Sequence, residues 1–155
     1  MSDYFNLSDE SPTTRETVKD GMVYNCITNG DYTYASVQCQ ESEEENLIDI
    51  AIKKHILLKG KEIPVTVISL GGFRGCVNLK SIHVPEGIEK IYAGAFADCE
   101  ALIEIFLPDS LKWLGFGAFS GCKSLRKVSL PGICEINGDP FTGCDLKRLI
   151  IERRT

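Results

Sequence analysis

Four cysteines return at a fixed interval in the second half of the chain. Cys76, Cys99, Cys122 and Cys144 are spaced 23, 23 and 22 residues apart. Cysteine thiolates bind zinc, and four of them close a structural site when all converge on one point at about 2.3 Å each. The even spacing argues for a different arrangement. If each cysteine sits on its own turn of chain, stacked about 4.8 Å above the last, the first and fourth are about 14 Å apart and share no metal. Side chains pointing in parallel also fail to face one another as a disulfide requires. The column therefore reads as small buried hydrophobes. Cys26, Cys39 and Cys134 fall outside it. Cys26 and Cys39 could face across a hairpin, where a bridge would need an oxidising compartment.

The histidines are His55 and His83. His83 is expected on an exposed strand beside Ser81, opposite Glu104 on the next turn, which brings together the residue types of a nucleophile–base cluster. An open sheet supplies no oxyanion hole and nothing to exclude water, and no G-x-S-x-G turn is present. Walker, H-E-x-x-H and dinucleotide-binding patterns are absent from the sequence. The expectation is a non-enzyme without metal or cofactor.

The elements that carry these residues belong to one repeated phrase. Phe73-Arg74-Gly75-Cys76, Phe96-Ala97-Asp98-Cys99, Phe119-Ser120-Gly121-Cys122 and Phe141-Thr142-Gly143-Cys144 are its four copies. A period in this range marks a solenoid, in which a single coil cannot bury its apolar side without neighbours. Each phenylalanine is preceded by an apolar pair: Val65/Ile68, Ile88/Ile91, Leu111/Leu114 and Ile133/Ile136. Each cysteine is followed by an apolar frame, as in Leu79/Ile82/Val84, Leu102/Ile105/Leu107 and Leu125/Val128/Leu130. In Leu146/Leu149/Ile151 that frame runs one residue short. Pro85, Pro108 and Pro131 close the first three segments, and proline belongs at a strand's end because it has no N–H for a ladder. Short parallel strands are thus expected over 81–84, 104–107, 127–130 and 148–151. The Ala95-Phe96 and Ala118-Phe119 steps suit a short helical turn on the return, with little helix overall.

Residues 1–20 are polar and read as a loose tail. Two β-prone runs, 22–28 and 32–39, flank Asn29-Gly30-Asp31, the strongest short hairpin signal. Such a hairpin would cap the first coil. In Ile48-Asp49-Ile50-Ala51-Ile52 the apolar residues alternate, giving a further strand. The segment 55–58 does not keep the coil frame. The resulting division is a tail over 1–20, a hairpin cap over 21–58 and a solenoid over 59–155. The solenoid has about four coils, the C-terminal one incomplete, and the fold is mostly β. Glu152, Arg153 and Arg154 would blunt an open edge there.

The net charge of −5 disfavours nucleic acid, which needs a cationic footprint. No run of about 18 apolar residues exists to span a membrane, and Met1–Asp20 has no apolar stretch of the secretory type. Bases gather near the end, at Lys123, Arg126, Lys127, Lys147, Arg148, Arg153 and Arg154, and read as a solvated face. The outward positions of the strands run Ser81/His83, Glu104/Phe106, Lys127/Ser129 and Arg148/Ile150. Phe106 and Ile150 are apolar where solvent would prefer polar groups. On the return side Trp113 and Phe116 fall at the positions of Lys90 and Ala93, with Tyr92 and Leu70 on adjoining coils. Exposed Trp, Phe and Tyr are the mix enriched at interface hot spots. A protein partner is expected, a glycan less so. Self-association through the C-terminal edge is the alternative.

These phrases resemble the BspA-like leucine-rich repeats. The match runs from Ile88-Glu89-Lys90-Ile91 through Ala95-Phe96-Ala97-Asp98-Cys99 to Leu102 and Leu107-Pro108, and covers roughly residues 60–152. The departures are Gly71-Gly72 before Phe73, Asp139-Pro140 before Phe141 and the missing residue after Cys144. The resemblance implies a curved right-handed α/β-type repeat solenoid with a concave parallel sheet. It also implies secretion or cell-surface display and a role in adhesion. The lack of a signal segment would fit a cytoplasmic protein instead.

Overall fold

The computed structural model describes residues 14–17 and 20–155. Among these, every regular element is a strand and there is no helix. Thr14–Thr17 (β1), Met22–Asn29 (β2) and Tyr32–Cys39 (β3) form an antiparallel unit. The β2–β3 ladder runs from Met22↔Cys39 to Asn29↔Tyr32, so the turn residues are Gly30 and Asp31. Gly30 alone of the two has positive φ, at 62°, which is the II′ pattern with glycine first. β1 lies within the expected tail, where Thr14 to Thr17 pair with Cys26 to Val23. The rest of that tail, residues 1–13 and 18–19, lies outside the described residues.

The chain then winds into coils that feed two parallel ladders. One contains Asp49–Ala51 (β4), Ser81–His83 (β7), Glu104–Phe106 (β9), Lys127–Pro131 (β11) and Ile150–Arg154 (β13). β4 pairs with β7, and β11 lies between β9 and β13; among the described residues no ladder pair joins β7 to β9, so this first ladder is interrupted into a two-stranded and a three-stranded sheet where one continuous sheet was expected. The second ladder continues the hairpin. β3 pairs with Lys61–Ile68 (β6), then come Lys90–Ile91 (β8), Trp113–Leu114 (β10) and Glu135–Ile136 (β12). His55–Leu58 (β5) folds back antiparallel on β6 and is a side hairpin, not a rung. The rung belongs to β4, whose Asp49 pairs with Ser81, so the first ladder begins inside the segment assigned to the cap.

Between the ladders each coil makes turns where short helix was expected. A helix would keep its N–H groups for itself, i to i−4. Here they are donated between coils: Phe73 to the Ala95 carbonyl at 2.7 Å, Phe96 to Ala118 at 2.7 Å and Phe119 to Pro140 at 2.8 Å. These bonds set the spacing of the core. Phe73, Phe96 and Phe119 are fully buried. Their rings stack at 5.5 Å and 5.4 Å between centroids, 9° and 6° from parallel, and Phe141 adds a fourth at 5.8 Å and 12°. Each such contact adds about 0.5–1.5 kcal/mol beyond area burial. Leu79, Leu102 and Leu125 form a second buried column.

The last coil departs from the expected register twice. Ile133 is 91% exposed, and Cys134 takes the core position. The turn bonds identify the column: Ile88 donates to Pro85, Leu111 to Pro108 and Cys134 to Pro131. The residue missing from this coil is lost after Cys134, so counting back from Phe141 lands one position early. Past Phe141 the chain regains length. Arg148 and Leu149 both donate to the Asp145 carbonyl, winding an extra turn. The strand therefore starts at Ile150, which pairs with Lys127, and not at residue 148.

Candidate binding surfaces

The outward positions of the first ladder form two columns. One runs Asp49, Ser81, Glu104, Lys127, Ile150, and the other Ala51, His83, Phe106, Ser129, Glu152. Alternation along each short strand puts Ile82, Ile105 and Val128 inside and these residues out. Ser81, His83, Glu104, Phe106 and Lys127 are exposed, as their spacing predicts; Ile150 is exposed too, but opposite Lys127 and not in the Phe106/Ser129 column where its spacing put it. Two expectations fail. Arg148 sits in the extra turn, its Nε 3.7 Å from Asp145 Oδ2, and is off the face. Ser129 is only 4% exposed, because Arg154 folds over it. Arg154 Nη1 donates to Ser129 Oγ at 2.7 Å, and its guanidinium carbon lies 4.0 Å from the Phe106 ring centroid. Phe106 keeps 59% of its surface exposed. Lys127 pairs with Glu152 at 3.2 Å.

At the other end of the face, β4 and β7 line a shallow, open hollow of about 430 Å³ with Asp49, Ile50, Ala51, Ser81, Ile82 and His83. Ser81 Oγ donates to Asp49 Oδ1 at 2.6 Å, so its hydroxyl is committed to a carboxylate on the preceding rung and not to His83. Among the described residues no three His, Cys, Asp or Glu side chains converge to hold a metal.

The second ladder carries an aromatic stripe. Trp113 pairs with Lys90 on one side and Glu135 on the other. Trp113 and Tyr92 are half-buried, while Phe116 and Leu70 are exposed. Phe116 leans on the next coil, where Gly138 is bare: a Cβ there would lie 2.8 Å from the ring Cδ2. β3 extends this stripe with Tyr32 and Tyr34, stacked at 5.8 Å and 26°. Burial pushes the Tyr34 hydroxyl up to about 12, with Tyr92 and Tyr32 adding to the shift. Tyr32 and Tyr34 escape the sequence reading because they belong to the hairpin. Their i, i+2 spacing places both on one face, but only the parallel β3–β6 and β6–β8 pairings put that face on the same sheet as the strand leading to Tyr92.

The cysteines are free thiols, and their column is more than apolar filling. Cys99, Cys122 and Cys144 each donate to the phenylalanine carbonyl one coil earlier: Phe73 at 3.2 Å, Phe96 at 3.0 Å and Phe119 at 3.1 Å. The Cys122 thiol beside it, and then burial, hold the Cys99 thiol far above the usual range, while burial raises Cys144 to about 11. Cys99 and Cys144 are thereby kept as thiols at neutral pH, the unreactive form. Cys26 and Cys39 do not face one another, since Cys26 pairs with Ala35 and Cys39 with Met22.

A family profile described as BspA type leucine rich repeat region matches residues 46–155 in six copies. Three solved structures share the fold. A leucine-rich repeat protein from Bacteroides ovatus aligns with a TM-score of 0.70 at 25% identity, covering 89% of this chain and 37% of its own. One from Bacteroides capillosus gives 0.75 at 23% identity, covering 91% of this chain and 99% of that one. The leucine-rich repeat protein of T. pallidum gives 0.58 at 23%, covering 81% and 65%. This chain thus spans little more than a third of the Bacteroides ovatus protein and nearly all of the Bacteroides capillosus one. No curated protein is similar enough to this chain to match it. The profile, the period and the stacked coils agree, and the chain belongs to the BspA-type leucine-rich repeat family.

Proposed function

We propose that the chain is a non-catalytic module that binds a protein through its concave strands, with the Tyr92/Trp113/Phe116 flank as the neighbouring contact. One observation carries the reading: Phe106, 59% exposed, and the exposed Ile150 sit in columns that also hold Asp49, Ser81, His83, Glu104, Lys127 and Glu152. Exposed apolar side chains set among charged ones on a sheet are the composition of a protein interface. The repeat scaffold suits this use because it presents a wide surface and no deep pocket. Residues 21–58 serve as its cap, with β4 at 49–51 already supplying the first rung, and 59–155 carry the rest of the binding array. Adhesion to a host or cell-surface protein is the setting we favour. The test is to capture partners with the intact chain and repeat with Phe106→Ser and Trp113→Ser, each checked for unchanged melting. Loss with Phe106→Ser supports the concave face, loss with Trp113→Ser alone shifts the site to the flank, and retention in both refutes the reading.

A second reading is assembly through the last coil. Its inward residue Ile151 is 46% exposed, where the equivalents Ile82, Ile105 and Val128 are buried, and Leu146 of the same coil is exposed as well. Sedimentation of this chain at high concentration tests it: a monomer throughout removes the reading.

A further inference from the structure

The guanidinium of Arg154 meets groups that belong to two earlier coils. The Phe106 ring centroid lies 4.0 Å from Cζ. Nη1 donates to Ser129 Oγ at 2.7 Å, and Nη2 donates to the Leu107 carbonyl at 2.6 Å and to Asp109 Oδ1 at 2.8 Å. Nε reaches the same Asp109 oxygen at 3.3 Å. An aromatic face, a carboxylate, a carbonyl and a hydroxyl gathered round one planar cation are the groups that recognise guanidinium. The compact ammonium of lysine has no fork to reach them together.

None of these groups comes from β13. They sit on β9, on β11 and on the segment after β9, which is tied to β11 by the Leu107 N–H donating to the Ser129 carbonyl at 2.8 Å. The receptor therefore stays assembled when Arg154 leaves. Arg154 itself is held by Pro131↔Arg154, the last pair of the β11–β13 ladder, and ladder ends open at the least cost. Asp109 and Phe106 remain open to solvent beside it.

We propose that the concave face carries an arginine-binding subsite built by Phe106, Asp109, Ser129 and the Leu107 carbonyl, filled in cis by Arg154 and open in trans to an arginine side chain of a protein partner. This rests on the reading of that face as the protein-binding surface and supplies the chemistry of one contact. The cis residue acts at high effective concentration, so a free peptide competes poorly until Arg154 is removed.

The test is an NMR titration of the intact chain and of Arg154→Gln with two probes, acetyl-Gly-Arg-Gly-amide and its lysine counterpart. The Arg154→Gln chain should bind the arginine probe at least tenfold more tightly than the intact chain does, and at least tenfold more tightly than it binds the lysine probe. Shifts should centre on residues 106–109 and 129, and Phe106→Ala added to Arg154→Gln should abolish them. If Arg154→Gln loses the β13 signals, Arg154→Lys makes the same comparison with the stem retained. Equal binding by both chains, no discrimination between probes, or binding that survives Phe106→Ala overturns the subsite. Should the arginine probe fail while Phe106→Ser still loses the protein partner, the subsite falls and the wider reading stands.

Discussion

Cys122 reaches back one coil and donates its thiol hydrogen to the carbonyl oxygen of Phe96, 3.0 Å away. The same bond joins Cys99 to Phe73 and Cys144 to Phe119. From the second copy on, each repeated phrase is thus stitched to the one before it by its cysteine and stacked on it by its phenylalanine.

Cys122→Ala removes a buried sulfur and this bond together. The expected cost is about 1–2 kcal/mol, from a lost net hydrogen bond and a small cavity. Phe96→Ala empties a larger space between two rings and should cost about 3–5 kcal/mol. Urea midpoints at constant m-value check both, and a Phe96→Ala loss below that of Cys122→Ala contradicts the stacked core.

Alkali should unfold the protein early. Burial raises Tyr34 to about 12 and Cys144 to about 11, the latter from an ordinary 9.0. Between the unfolded and folded values the native state holds more protons than the unfolded state, so stability falls as pH rises. The thiols contribute fully only well below their ordinary 9.0, and Tyr34 only well below its ordinary 10.0. The urea midpoint should be flat from about pH 7 to about pH 8 and drop steadily towards about pH 11. A midpoint that holds or rises over that upper range excludes this linkage.

Gly115 has no room for a side chain: a Cβ would lie 2.5 Å from the Ala93 nitrogen and 2.7 Å from the Tyr92 carbonyl carbon. Both obstacles are backbone, so Gly115→Ala must spread two coils and should cost about 3 kcal/mol. Gly87→Ala, with only the Val65 carbonyl oxygen near at 3.9 Å, meets no such obstacle but has φ of +109° to maintain. Thermal melts of the two should show the larger drop for Gly115→Ala.

Asp98 holds the position that Gly75, Gly121 and Gly143 hold in other coils, with φ of 59°. The left-handed region costs a non-glycine residue about 1–2 kcal/mol. Its ion pair with Arg74, 3.8 Å and exposed, returns little. Asp98→Gly should therefore leave stability unchanged or raise it by up to about 1 kcal/mol. A clear fall in the melting temperature would show that the carboxylate matters more than the backbone.

Most of the architecture was legible because the phenylalanine, cysteine and leucine columns each repeat one residue type at one spacing. The three strands β7, β9 and β11 follow from that frame to within a residue at their starts. What escaped depends on compensation at a distance. The residue lost after Cys134 is regained in the Asp145 turn, so Ile133 and Arg148 leave their expected places while Ile150 moves opposite Lys127. Ser129 reads as exposed from its own strand. Its burial comes from Arg154, 25 residues on, whose side-chain direction no local pattern encodes. The helical turn at Ala-Phe failed for a similar reason, since whether those N–H groups turn inward or reach the next coil is decided by the neighbouring coil.

The most direct test of the whole account is the pattern of ring-to-ring NOEs among Phe73, Phe96, Phe119 and Phe141. Cross-peaks should link each ring to its neighbour in that order, matching centroid separations of 5.5, 5.4 and 5.8 Å, with none between Phe73 and Phe119. A direct Phe73–Phe119 cross-peak, or none between Phe96 and Phe119, would show that the coils are not stacked and would remove the surfaces built on them.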